Sequence, residues 1–172
     1  MTRTPSGGPA RAIGPDWQQL GSVGIGPLLV EHCVAEHHWH EDPAGTAWIG
    51  GNNAGFDIRN HRGRTDAKTS WYGTGLWAGW LQFAAPRGGF APENVDYIAP
   101  VILTGVRVGF DVAGTTGGSV TATYDSFDLW VIPVAVVNDL IEYQAYGRSS
   151  VPLDAISAYK VGRTQPRTLP AQ

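Results

Sequence analysis

Residues 101–112 read VILTGVRVGFDV, the clearest periodicity in the chain. Ile102, Thr104, Val106, Val108, Phe110 and Val112 fall on one side of an extended segment and Arg107, Gly109 and Asp111 on the other. A period of two predicts a strand with one buried face. The glycine-rich run 114–118 supplies a turn. Residues 119–124 then alternate again, with Val120, Ala122 and Tyr124 against Ser119, Thr121 and Thr123, so an antiparallel hairpin follows. After Asp125 and Ser126, the stretch 127–137 (FDLWVIPVAVV) is almost continuously apolar and β-branched, as in a strand covered on both faces. Pro133 has no N–H for a ladder, so that strand should end, bulge or reach a sheet edge there.

Working outward, residues 26–34, 46–49, 56–59 and 76–83 read as further short strands separated by Gly, Asn and Pro clusters. Seven or eight such strands predict an all-β fold, an antiparallel sandwich of the jelly-roll kind with little helix. Two short helical turns are the candidates: 136–146, with Asn138 or Asp139 as a cap, and 153–159. The ends differ from the middle. Pro5, Pro9 and Pro15 with Gly7, Gly8 and Gly14 exclude helix and central strand over 1–20, and GRTQPRTLPAQ at 162–172 reads the same way. The expected organisation is an extended N-terminal arm (1–20), a sandwich domain (21–161) and an extended C-terminal arm (162–172).

Charge sharpens this division. The net charge of −3 is unevenly spread: residues 21–159 hold 14 acids against 7 bases, whereas Arg3 and Arg11 lie in the first arm and Lys160, Arg163 and Arg167 near the end. An acidic body repels phosphate backbones, which argues against nucleic acid as the ligand. Basic arms suit acidic neighbours, including other copies of the same body, so Arg3, Arg11, Arg163 and Arg167 are the candidate partner contacts. A domain of 172 residues can bury a core without staples, and the single cysteine, Cys33, rules out an intrachain disulfide. No stretch approaches the ~20 apolar residues of a membrane span, and the N-terminus lacks the apolar segment of a signal peptide. The expected setting is therefore the cytoplasm at folding, with no membrane insertion.

Four of five histidines crowd into HCVAEHHWHED at 32–42. In an extended segment His32, Glu36, His38 and His40 share a face, and imidazole with carboxylate is a ligand set for zinc or a related metal. The spacing matches no established metal signature, and a polar edge strand or loop is the competing reading, as is a pH-sensitive contact. The aromatic group Trp71, Tyr72, Trp77, Trp80 and Phe83 reads either as a central strand between two layers or as a sugar platform. In the platform reading Trp71 or Trp80 stacks on a pyranose while Asn52, Asn53 or Asp57 bond its hydroxyls. Asp125 and Asp128 form a carboxylate pair beside a turn, with a surface role as the simpler reading. There is no GxSxG elbow, Walker A loop, CxxC pair or EF-hand loop, so neither an enzyme nor a cofactor is expected.

The segment 119–133, SVTATYDSFDLWVIP, resembles the closing hairpin of jelly-roll and carbohydrate-binding sandwich modules. With a Pro/Gly arm at each end and a small acidic body holding one cysteine, the chain also resembles accessory virion proteins of tailed bacteriophages, such as capsid decoration or tail proteins. The resemblance covers residues 98–137. It implies a non-enzymatic virion protein that docks on neighbouring subunits through its arms, with glycan binding or a His-rich metal enzyme as alternatives.

Overall fold

The computed structural model describes residues 2–3, 25–49, 55–113, 117–144 and 148–161. In chain order these form β1 (Thr2–Arg3), α1 (Ile25–Glu41), β2 (Ala47–Trp48), β3 (Ile58–Asn60), β4 (Gly63–Tyr72), β5 (Trp80–Ala84), β6 (Tyr97–Thr104), β7 (Arg107–Ala113), β8 (Gly117–Thr123), β9 (Ser126–Trp130), β10 (Ile132–Pro133), α2 (Val134–Leu140), β11 (Glu142–Tyr143), β12 (Arg148–Pro152) and β13 (Lys160–Val161). The protein is largely β, as expected. Ten strands make one mixed sheet whose main path is β11–β12–β5–β4–β6–β9–β13, with β3 beside the start of β4, β2 beside β3, and β10 beside the start of β6. β4 and β6 run parallel, Thr65 opposite Tyr97 through Thr69 opposite Val101. Most other pairs are antiparallel, and β7, β8 and β1 form a separate three-stranded sheet.

Residues 26–34, expected as a strand, lie instead within α1. The apolar residues there do not alternate. Leu29, Val30, Cys33 and Val34 are spaced one and four apart, which on a 3.6-residue helix aligns them on one side, and Pro27 sits in the first turn, where its missing N–H costs nothing. That side packs with Ile58, Ala99, Val101, Tyr124, Phe127 and Leu129. The helix ends before Pro43, and Asp42 Oδ1 accepts the Gly45 N–H at 2.9 Å to close the following turn. The other face of the sheet carries a second cluster, with Leu81, Phe83, Ile98, Trp130, Ile132 and Val151 beneath Phe90, Val95, Val137 and Ile156. The described layering is thus helix on sheet on one side and α2 with loops on the other.

The decisive segment 101–112 is divided between two sheets. Gly105, at φ +68°, separates β6 from β7, and because L side chains rarely adopt that conformation and a Cβ there would press on the Asp125 carboxylate, the break favours glycine. The pairing of the hairpin is as read from the sequence, Val108 standing opposite Ala122 and Phe110 opposite Val120, but Val106, expected on the buried side, is exposed. β1 adds to its β8 edge in parallel, Thr2 opposite Thr121 and Arg3 opposite Ala122. Downstream, Pro133 ends β10 as expected and directly precedes α2, which starts two residues before the anticipated helix and ends at Leu140. The other helical candidate shortens to one 3-10 turn, Ser157–Tyr159.

Candidate functional site

Helix α1 does not align the expected ligand set. His32 and Glu36 are one turn apart, with His32 Nε2 at 3.7 Å from Glu36 Oε1, both buried, and His40 continues that line on the exposed part of the helix. His32 stands edge-on to Trp48 at 5.7 Å and Trp39 at 6.4 Å between ring centroids, a packing role among aromatics. His38 points elsewhere, towards β3 and β4. The group whose ligand atoms do converge, all within 4.8 Å, is His37, His38 and Glu41. It opens on a cleft of about 440 Å³ whose other wall is Tyr97, Val131, Pro133, Ala158, Tyr159 and Val161.

Hydrogen bonding assigns His38 a structural role in this cleft. The Arg62 N–H donates to Asn60 Oδ1 at 2.9 Å, which fixes the amide so that Asn60 Nδ2 donates to His38 Nδ1 at 2.9 Å. His38 therefore carries its proton on Nε2, which faces Thr65 Oγ1 at 3.3 Å. Both ring nitrogens are occupied, and a metal could take one only by displacing a partner. Burial pushes the His38 imidazole down to about 4, so the ring stays neutral near pH 7. Burial likewise lowers His37, while Glu41, one turn on, accepts an ion pair from Arg62 at 3.2 Å.

A second polar group fills a gap in the sheet. β3 leaves β4 at Thr65 and β5 joins it only at Ser70, so one edge of β4 is open between them. Asp57 bridges the opening: its N–H donates to the Thr65 carbonyl at 2.9 Å and its Oδ2 accepts the Ala67 N–H at 2.9 Å. Around it lie Glu31, whose Oε2 accepts from Trp48 Nε1 at 2.9 Å, and Asp66, paired with Lys68 at 2.8 Å. Burial, then the neighbouring Glu31 and Asp66, push the Asp57 carboxyl up to about 7. Burial also raises Glu31 and Asp66. Near pH 7 Asp57 and the Asp66 carboxylate thus share a proton in a partly desolvated site. Nothing in the sequence pattern marked Glu31 and Asp66, because their meeting depends on a helix and a polar strand that alternation does not reveal.

The sugar-site residues separate. Asn52 and Asn53 lie outside the described residues, and Asp57 belongs to the gap. Trp71 is 37% exposed and stands opposite Gln82, its Nε1 donating to Gln82 Oε1 at 2.6 Å. Trp80, two residues before Gln82 on β5, lies on the same side of that sheet, half-buried against Trp77. Gln82 Nε2 reaches Gln144 Oε1 at 3.2 Å, and Arg148 covers one face of Trp71 at 5.9 Å. Asp125 and Asp128 do not form a catalytic pair: Asp125 is bound by Arg107 and held below the usual carboxylate range, while Asp128 pairs with Lys160 at 2.9 Å and accepts from Tyr72 Oη at 2.7 Å. Of the arm contacts, Arg3 is in β1, and Arg11, Arg163 and Arg167 lie outside the described residues. No family model, curated protein or solved structure matches this chain.

Proposed function

We propose that this chain is a non-enzymatic structural protein that joins a larger assembly through its arms, of the kind represented by virion capsid-decoration or tail proteins. The observation that carries the reading is the docking of Thr2–Arg3, from the arm, on the edge of a hairpin that stands in a sheet of its own. Strand addition uses main-chain hydrogen bonds and needs no pocket, so it suits a segment too rich in proline and glycine to fold alone. The connection from residue 4 to 24 is long enough for the same edge to be met by a neighbour's arm. Ordering an arm costs conformational entropy, which repeated contacts in a symmetric lattice offset. The polar groups elsewhere fit this role: His38 is held by Asn60 and Thr65, and Asp125 and Asp128 by cations. The test is incorporation. Chains lacking residues 1–16 or 163–172 should fold yet fail to enter particles of the parent assembly, and equal incorporation of both truncations overturns the proposal.

A second reading, glycan binding, is favoured by one observation: exposed Trp71 shares a sheet face with Trp80 across the Gln82 amide. Binding on a glycan array that Trp71→Ala abolishes would support it.

A further inference from the structure

The cleft of about 440 Å³ at the C-terminal end of α1 has the size of a small-molecule site, and its two sides differ in chemistry. Val131, Pro133, Ala158 and Val161 make one side apolar, whereas His37, Glu41 and Arg62 give it a polar end. Both sides are fixed before any ligand arrives. The Val131 N–H donates to the Tyr159 carbonyl at 3.0 Å and the Tyr159 N–H to the Ile156 carbonyl at 3.0 Å, with Ile156 fully buried. Opposite, the bonds to Asn60 and Thr65 lock His38, so the end of α1 presents His37 and Glu41 in one arrangement. A preformed site loses little entropy when it fills.

The unspent hydrogen-bonding groups select the ligand's head. Glu41 Oε2 engages Arg62 through Nη1 at 3.2 Å, so among the described residues Nε and Nη2 of that half-exposed guanidinium bond nothing. Those two nitrogens form the fork that Arg64 uses to grip both carboxylate oxygens of Asp96 in this same chain. Lys160 also lines the cleft, but its ammonium is taken by Asp128 at 2.9 Å and lies over the Trp130 ring at 5.0 Å. His37 Nε2 stands 3.7 Å from Glu41 Oε1, too far for a hydrogen bond, which leaves the N–H of its neutral ring unspent. The hydroxyls of Tyr97 and Tyr159, also in the lining, make no hydrogen bond among the described residues. Such a donor-rich end calls for a head that only accepts. With one guanidinium fork free in an acidic body, that head carries a single negative charge.

We propose that the cleft binds a compact organic monocarboxylate, its carboxylate on the Nε–Nη2 fork of Arg62 and its apolar body against Val131, Ala158 and Val161. This goes beyond the assembly reading and is independent of it, since deleting residues 1–16 or 163–172 removes no residue of the cleft. The test titrates the full chain with benzoate, benzyl alcohol and benzylamine, which share a ring and differ in the charge of the head, and follows amide chemical shifts by NMR. Benzoate should move the amides of His37, Glu41, Arg62, Ala158 and Val161 with a Kd on the order of 1 mM. The alcohol and the amine should bind at least ~10-fold more weakly, and Arg62→Gln should weaken benzoate by a similar factor. Arg62→Lys, which keeps the charge without the fork, should recover only part of that loss. Ala158→Trp, at an exposed position, places an indole in the apolar wall and should abolish benzoate binding while leaving amides remote from the cleft unmoved. Three results overturn the proposal: no benzoate shift at about 10 mM, shifts that survive both Arg62→Gln and Ala158→Trp, or equal binding of the alcohol. Preference for benzylamine overturns it too, because Glu41 and the C-terminal end of α1 would then be selecting a cation.

Discussion

Replacing Asp57 by asparagine tests the polar gap beside β4 directly. In the folded protein the carboxyl is pushed up to about 7, against an ordinary value of 3.8, chiefly by burial. Between those values the folded state keeps a proton that the unfolded chain releases, so the stabilising contribution is complete below the lower value and disappears as pH rises through the upper one. Three pH units at ~1.4 kcal/mol each set a ceiling of about 4 kcal/mol. Partial solvent access and sharing of the proton with Asp66 reduce the observable part to about 2 kcal/mol. His38 acts with the opposite sign. Its folded value of about 4 lies below the ordinary 6.5, so stability is lost as pH falls through that window. In the parent the two slopes oppose each other. The carboxamide of Asp57→Asn still accepts from the Ala67 N–H and still faces Asp66 with a donor, yet does not titrate. The variant should match the parent near pH 4.5, exceed it by about 2 kcal/mol at pH 8, and show the His38 limb as stability rising from pH 4 to 6.5. Urea denaturation followed by tryptophan fluorescence at half-unit pH steps reads all three. A variant–parent difference that does not change with pH, or a variant less stable at pH 8, refutes the reasoning.

Asn138 clamps the loop before β6, its Oδ1 accepting the Phe90 N–H at 2.9 Å and its Nδ2 donating to the Phe90 carbonyl at 2.9 Å, so Asn138→Ala should cost about 2 kcal/mol in urea denaturation at pH 7. Equimolar zinc should leave the melting temperature unchanged, because Asn60 and Thr65 hold both nitrogens of His38; a rise in melting temperature that Glu41→Gln removes would establish a metal centre instead.

The strands that could be read from sequence are those whose own residues announce them. The 107–123 hairpin and the run ending at Pro133 fall into place because their alternation, turn glycines and proline carry the information locally. Helix α1 is obscured because the polar Glu31, His32 and Glu36 are buried along with the apolar residues of 28–36, so polarity does not track exposure around its turns. β4 escaped for the opposite reason. GRTDAKTSWY is mostly polar, and it becomes the strand joining both halves of the sheet through pairing with the adjacent β3, with β5 and with the distant, apolar β6. The candidate site suffered from both effects. His38 and Asp57 suggest chemistry in an extended segment and a sugar platform, but their partners come from elsewhere: Glu31 from the helix, Asn60 from β3, and Thr65 and Asp66 from the polar strand.

The Gly105 break also defines a load path. The β7–β8 hairpin continues the β6–β9 ribbon beyond a bend, Thr104 opposite Ser126 on one side of it and Arg107 opposite Thr123 on the other, with the Arg107–Asp125 ion pair spanning the corner. Tension applied at the hairpin tip is therefore delivered to the end of the β6–β9 ladder, where rungs yield one after another as in a zipper. A pull along β4 and β6 would instead have to shear the parallel rungs from Thr65 to Thr69 all at once. A tether on the hairpin would release gradually under strain and spare the central strands, acting as a mechanical fuse for whatever it holds.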